Sequence, residues 1–199
     1  MKTFGPTTPG QRQRSVVDYS ALSKKEPEKS LTFGRKRRMG RSTRGRITVR
    51  HKGGGSKRLY REIDFRQDKM GIPGRIASVE YDPNRSGFIA LAVYRDGEKR
   101  YVLATKHMKE GDTVLTSAEA PLEEGNRMPL ERIPLGFSVH NIELAPGKGG
   151  QIVRAAGSSA KVMAHEGNVT QLLMPSTEVR KVLSRCFATI GELSNPEHN

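Results

Sequence analysis

All of the formal net charge of +14 in this chain lies in its first third, and a segment so charged cannot build a core of its own. Residues 1–62 hold 18 Lys and Arg against 4 Asp and Glu, whereas residues 63–199 hold 17 of each. Between Gly34 and Arg58 there are 11 basic residues and no acidic one, interspersed with Gly and Ser. Self-repulsion and scarce apolar residues oppose collapse of such a stretch until an anion neutralises it. The reading is a basic arm, residues 1–58, attached to a nearly neutral body. An excess of cations on this scale points to a polyanionic partner, with nucleic acid ahead of an anionic membrane.

From Leu59 onward the pattern changes to short strands. Leu59–Phe65 alternates, Ile76–Tyr81 is strand-like, and the turn signal Asp82-Pro83-Asn84 follows. Phe88–Tyr94 is continuously apolar and reads as a buried strand. Asp96-Gly97 marks a hairpin turn, Tyr101–Ala104 the return strand, and Asp112–Thr116 one more. No helix interrupts this set, which suits a small antiparallel barrel. Ala118–Asn126 is acidic and turn-rich, so a boundary is placed there. A second all-β set follows: Val139–Leu144, then Lys161–Ala164 and Val169–Met174 around the turn Gly167-Asn168, then Glu178–Leu183 and Cys186–Ile190. The expected division is 1–58 as extension, 59–124 as first barrel and 125–199 as second.

The sequence offers little to catalysis. Cys186 is the lone cysteine, which excludes an intrachain disulfide and fits a reducing compartment. The five histidines form no metal-ligand spacing with each other or with Cys186. No nucleophile elbow frames a serine, and the carboxylates are scattered over strands and turns. No cofactor, metal or small-molecule substrate is expected, and no enzymatic activity. The longest apolar run is too short to span a bilayer and the N-terminus lacks a signal-like apolar core, so a soluble intracellular protein is expected.

Three stretches have the chemistry of phosphate binding. The first is the arm, GRKRRMGRSTRGR continuing into ITVRHKGGGSKR. Its candidates are Arg35, Lys36, Arg37, Arg38, Arg41, Arg44, Arg46, Arg50, His51, Lys52, Lys57 and Arg58. Gly53 and Gly54 join them as points of close backbone approach. Arginine suits this task because its planar, permanently charged fork bonds phosphate bidentately. The second is the loop DPNRS, where Arg85 sits between two predicted strands. The third is the Gly-rich loop APGKGGQIVRAAGSS with Lys148 and Arg154. It lacks the Walker spacing, but such a loop can still offer backbone N–H groups to phosphate. On the local sequence alone, Arg85 reads as an ordinary surface arginine sooner than as a phosphate ligand, and the Gly-rich loop could equally be a plain flexible one.

Four stretches resemble the bacterial-type second protein of the large ribosomal subunit, the "L-two" family. They are Gly45–Phe65, Tyr81–Ala104, Gly136–Gly167 and Arg185–Asn199, in the family's order. The resemblance implies an OB-fold barrel followed by an SH3-like barrel, with a basic irregular N-terminal extension. It implies large-subunit ribosomal RNA and neighbouring ribosomal proteins as partners, and location in a cytoplasmic or organellar ribosome. By the same resemblance, Arg85, Arg154 and the stretch Arg44–Arg58 contact RNA. The family normally continues past the NPEH-like segment into a basic, His-bearing extension near the peptidyl-transferase region, and that role is not expected of residues 1–199. Two alternatives share the composition: a non-ribosomal RNA-binding translation factor or chaperone, and an enzyme acting on RNA, which would need a pocket with clustered carboxylates or a metal.

Overall fold

The computed structural model describes residues 1–35 and 38–198. Its strands are β1 (Lys2–Thr3), β2 (Ser15–Val16), β3 (Thr32–Gly34), β4 (Leu59–Arg61), β5 (Gly74–Glu80), β6 (Ile89–Tyr94), β7 (Lys99–Leu103), β8 (Thr113–Val114), β9 (Arg127–Pro129), β10 (Ser138–His140), β11 (Ala160–Glu166), β12 (Val169–Leu173), β13 (Val179–Leu183) and β14 (Phe187–Ile190). Two antiparallel sheets carry the body, in the orders β7-β6-β5-β8 and β13-β12-β11-β10-β14-β9. Among the described residues no helix is long and apolar enough to cross a membrane.

In the first sheet, β6 is apolar without a break because both of its faces are covered. Ala90, Ala92 and Tyr94 pack with Ile76, Val79, Val102 and Val114 on one side. Ile89 and Leu91 pack with Ile63, Tyr101, Leu103 and Leu193 on the other. A strand with one wet face would alternate apolar and polar residues; this one has no wet face. The β6–β7 hairpin turns at Gly97 (φ 87°), where the Gly97 amide donates to Tyr94 O at 2.9 Å.

The second sheet encloses one core that includes Met128, Leu130, Ile133, Val139, Ile142, Val162, Leu172 and Ala188. Strand β11 alternates buried Ala160 and Val162 with exposed Lys161 and Met163, as a strand facing water on one side must. At the edge, β13 buries only Val182 and shows Arg180 and Lys181 to solvent, charges that discourage further strand pairing.

The expected strands are present, most of them shorter, and three findings differ. Residues 1–34 are not a free arm: Ser23 bonds the backbone of Val79, β3 pairs with β4, and the Glu28 amide donates to Tyr101 Oη at 2.8 Å. The reason is local composition. Leu22 and Leu31 are apolar enough to pack on the sheet, and the dense charge begins only at Arg35. Strand β9 was not expected, since Arg127 and Pro129 argue against a buried strand; all three of its residues are buried, and the charge is neutralised by Glu143. Finally, only Val139 and His140 of Val139–Leu144 join the sheet, in a strand that begins at Ser138. Asn141 adopts φ 50°, and Ile142 instead bridges Ile152.

His140 reports on the second core. Its ring is wholly buried, with Nδ1 2.9 Å from Gly191 O, and burial pushes its pKa down to about 4. The unfolded imidazole takes a proton near pH 6.5, so acid favours unfolding. The contribution is fully present above about pH 6.5 and is lost as pH falls to about 4. It amounts to about 3 kcal/mol, since each unit of pKa displacement is worth about 1.4 kcal/mol. Urea titrations at pH 7 and pH 4 should show that loss in the native chain and a smaller one in His140→Gln. Equal losses in both would remove His140 from the account.

Candidate nucleic-acid interface

The two loops that the sequence separates by about 70 residues meet at one aromatic ring. The guanidinium carbon of Arg154 lies 4.5 Å from the centroid of Phe65, and that of Arg85 lies 5.7 Å from it. Cations over an aromatic face are attracted by its quadrupole, which offsets part of the repulsion between the two arginines.

Each arginine is positioned from beneath. Asp82 is fully buried and accepts Arg85 Nε at 2.6 Å and the Asn84 amide at 2.9 Å, closing DPNRS into a turn. Asn84 Nδ2 donates to Leu59 O at 2.7 Å, and Arg58 donates to Pro83 O at 2.8 Å, tying the turn to the end of the arm. Across the seam, the Ala156 amide donates to Ser86 Oγ at 3.1 Å, and Asn195 Nδ2 donates to Ser86 O at 2.8 Å. The Gly150 amide donates to Phe65 O at 2.8 Å. The loops bearing Arg85 and Arg154 are therefore fastened across the two sheets, and Arg154 remains exposed.

The Gly-rich loop does not work as a backbone cradle for phosphate. Glu143 takes the amides of Gly147 at 3.2 Å and Gly149 at 3.1 Å, and the Lys148 amide donates to Ala145 O at 3.2 Å. The same carboxylate accepts Arg127 Nη2 at 3.0 Å and the Phe187 amide at 3.1 Å. A loop whose N–H groups are already bonded offers side chains, not amides. Lys148 is the exposed residue at its tip, and it shares a cleft of about 550 Å³ with Phe65, Arg66 and Arg100. Arg100 is bound by Asp64, Asp68 and Glu98 and Lys99 by Glu28, so among the described residues the cations this cleft leaves without an ion pair are Lys148 and Arg66. A Cβ at Gly150 would collide with Asn141, which fixes glycine there. Burial pushes Arg127 down from its ordinary value, and the adjoining Glu143 carboxylate opposes that.

The arm candidates are presented differently. Arg35 lies 5.5 Å above the ring of Tyr60. Lys36 and Arg37 lie outside the described residues. Residues 38–50 fold back on themselves, with the amides of Thr48 and Val49 on Gly40 O and Arg41 Nη1 on Gly45 O. Arg44, Arg46, Arg50, His51, Lys52 and Lys57 are exposed, and among the described residues none of them forms an ion pair with a carboxylate. Gly53 and Gly54 have φ 153° and 69°, which a side chain would disfavour. Three contributors were not singled out in the sequence: Phe65, Asp82 and Glu143. The DPNRS motif held a signal for Asp82, whose carboxylate lies three residues before Arg85. The other two become visible only through partners distant in sequence. Among the described residues, no group of three or more His, Cys, Asp or Glu is placed to hold a metal ion.

Two family models cover most of this architecture. The one described as the RNA-binding N-terminal domain of ribosomal proteins L2 matches residues 28–116, and the one for their C-terminal domain matches residues 123–199. The chain belongs to the ribosomal protein L2 family. Its first sheet is accordingly the OB-fold domain and its second the SH3-like domain. It is a structural protein of the large ribosomal subunit that binds ribosomal RNA. The L2 family is structural rather than catalytic, its place is the ribosome, and its partners are ribosomal RNA and other ribosomal proteins.

Proposed function

We propose that the chain grips folded large-subunit RNA at the Phe65 seam and extends its basic arm, Arg35 to Arg58, along neighbouring phosphates. In this reading residues 59–124 and 125–199 are the two RNA-binding units and residues 1–58 the extension. The observation that carries it is the convergence of Arg85 and Arg154 on Phe65, a residue that also lines the cleft holding Lys148. Two guanidinium groups held by a shared ring and a buried carboxylate are preorganised for phosphate, so little side-chain entropy is lost on binding. The seam recognises RNA shape and backbone, and the arm adds salt-sensitive affinity. The role is structural support of assembly and translation with no catalytic step, in a ribosome of the cytoplasm or of an organelle.

Filter binding with a large-subunit RNA fragment tests the seam. Arg85→Ala and Arg154→Ala are each expected to weaken binding by about 1–3 kcal/mol, the range for charge-assisted bonds. Unchanged affinity in both variants would overturn the assignment. A translation factor with the same barrels would leave salt-washed large subunits on sedimentation, whereas this chain should remain with them.

A further inference from the structure

A second cleft, of about 510 Å³, opens beside the far end of β5, where Tyr81 leads into the DPNRS loop, and its lining residues are not those of the seam. Strand β8 covers only Gly74 and Arg75 of β5. The edge left at Val79 is taken by Ser23, whose amide donates to Val79 O at 2.8 Å while its hydroxyl accepts from Val79 N at 3.2 Å. This clamp sets Tyr19 edge to face with Tyr81, at 5.5 Å between centroids and 78° between planes. Both rings remain 49% exposed, although paired aromatics of this size ordinarily gain by burial. Lys24 and Lys25 stand exposed along the same cleft, and among the described residues neither forms an ion pair with a carboxylate; Glu28 nearby is taken by Lys99 at 2.8 Å.

The cleft is also lined by two buried groups of opposite polarity. Glu80 is 3% exposed and among the described residues receives only two donors, Ser78 Oγ and Tyr101 Oη, each at 2.8 Å. A carboxylate has about four acceptor positions, so it can take more. The Arg61 side chain is 11% exposed, and its buried Nε has no partner among the described residues. Exposed aromatic faces, flanking cations and a buried donor and acceptor fit one ligand chemistry: a nucleic-acid base out of its stack, with phosphates on either side.

We propose that this cleft takes one unpaired base of an RNA strand, stacked on Tyr19 or Tyr81, with Lys24 and Lys25 on the adjoining phosphates and Glu80 and Arg61 facing the base edge. The proposal rests on the reading of the chain as an RNA binder; its lining residues are not those of the Phe65 seam, and the Arg61–Asp82 ion pair at 3.8 Å links the two. Tyr81 and Arg85 flank the same short loop, so a single strand could pass from one site to the other.

The test uses the full chain and a single-stranded RNA of about 12 nucleotides, a length on the scale of one OB-fold site, carrying one central 5-iodouridine. Irradiation followed by peptide mapping should place the adduct on Tyr19 or Tyr81. Joint Tyr19→Leu and Tyr81→Leu substitution should weaken binding of this RNA about tenfold, as loss of a stacking platform does, while the corresponding pair of Phe substitutions stays within about twofold. A duplex of the same sequence should compete poorly. Adducts found only on the arm or on Phe65, or equal affinity of the Leu and Phe variants, would overturn the proposal; a protein neighbour in the cleft would give that pattern. The Arg85→Ala, Arg154→Ala double variant separates the two readings. If it retains the tyrosine adduct but loses the large-subunit fragment, both sites stand. If it leaves fragment binding unchanged while the adduct persists, the seam fails and the cleft stands.

Discussion

Glu143→Ala should lower the unfolding free energy by about 3–5 kcal/mol, because it strands a buried charge. Arg127 is fully buried, and its other partners are neutral oxygens: Asn141 O at 2.7 Å and Thr189 Oγ1 at 3.4 Å. The removed carboxylate also leaves the amides of Gly147, Gly149 and Phe187 without their acceptor. This makes the usual rescue fail. Replacing both members of a buried ion pair with apolar residues is often neutral, but here an apolar pair still leaves three backbone donors unsatisfied, at about 1–3 kcal/mol for each donor that stays buried. The Arg127→Met, Glu143→Leu double variant should therefore stay well below the native chain in urea unfolding. The loop carrying Lys148 loosens with it, so RNA affinity should fall although neither residue is exposed. A loss under 1 kcal/mol in Glu143→Ala would mean that the loop keeps its shape by other means.

Changing Arg44, Arg46, Arg50, Lys52 and Lys57 together to Gln should produce the largest change in RNA affinity. If each meets one phosphate, the slope of log affinity against log salt should flatten by about 3.5–4.5, from about 0.7–0.9 per contact. Between about 50 and 200 mM salt the deficit relative to the native chain should therefore shrink by about two to three orders of magnitude, being largest at the low-salt end. Substitution is a cleaner test than deleting residues 1–58, because deletion would also remove the partners of Val79, Tyr101 and β4. Folding should be unaffected, since these side chains are exposed. An unchanged slope would place the arm away from phosphate.

The all-β character and two of the hairpin turns were legible because they depend on neighbours in sequence. Asp96-Gly97 and Gly167-Asn168 carry their turn chemistry locally, and the apolar run in β6 announces burial on both faces. Strand β9 was not legible: Arg127 reads as surface until Glu143, 16 residues later, is known to reach it. The same limit hid Phe65, which looks like one apolar position in an alternating strand yet collects arginines from two distant loops. Arg85 and Arg154 were legible as basic residues on loops, but their meeting is tertiary. Around Lys148 the sequence left the role of the loop's glycines open. Their amides serve an internal carboxylate.

The burial of Leu193 against β6 has a consequence during synthesis. The apolar side of the first sheet formed by Ile89, Leu91 and Leu103 is closed by a residue about 90 positions later. A nascent chain that has released only its first barrel carries an unfinished surface, since contacts of such long sequence separation form late and slowly. Until Leu193 emerges, that surface is a site for chaperones or for faulty association. The first barrel is thus completed by the end of the second, and a pause in translation anywhere between them prolongs the interval in which the chain is sticky.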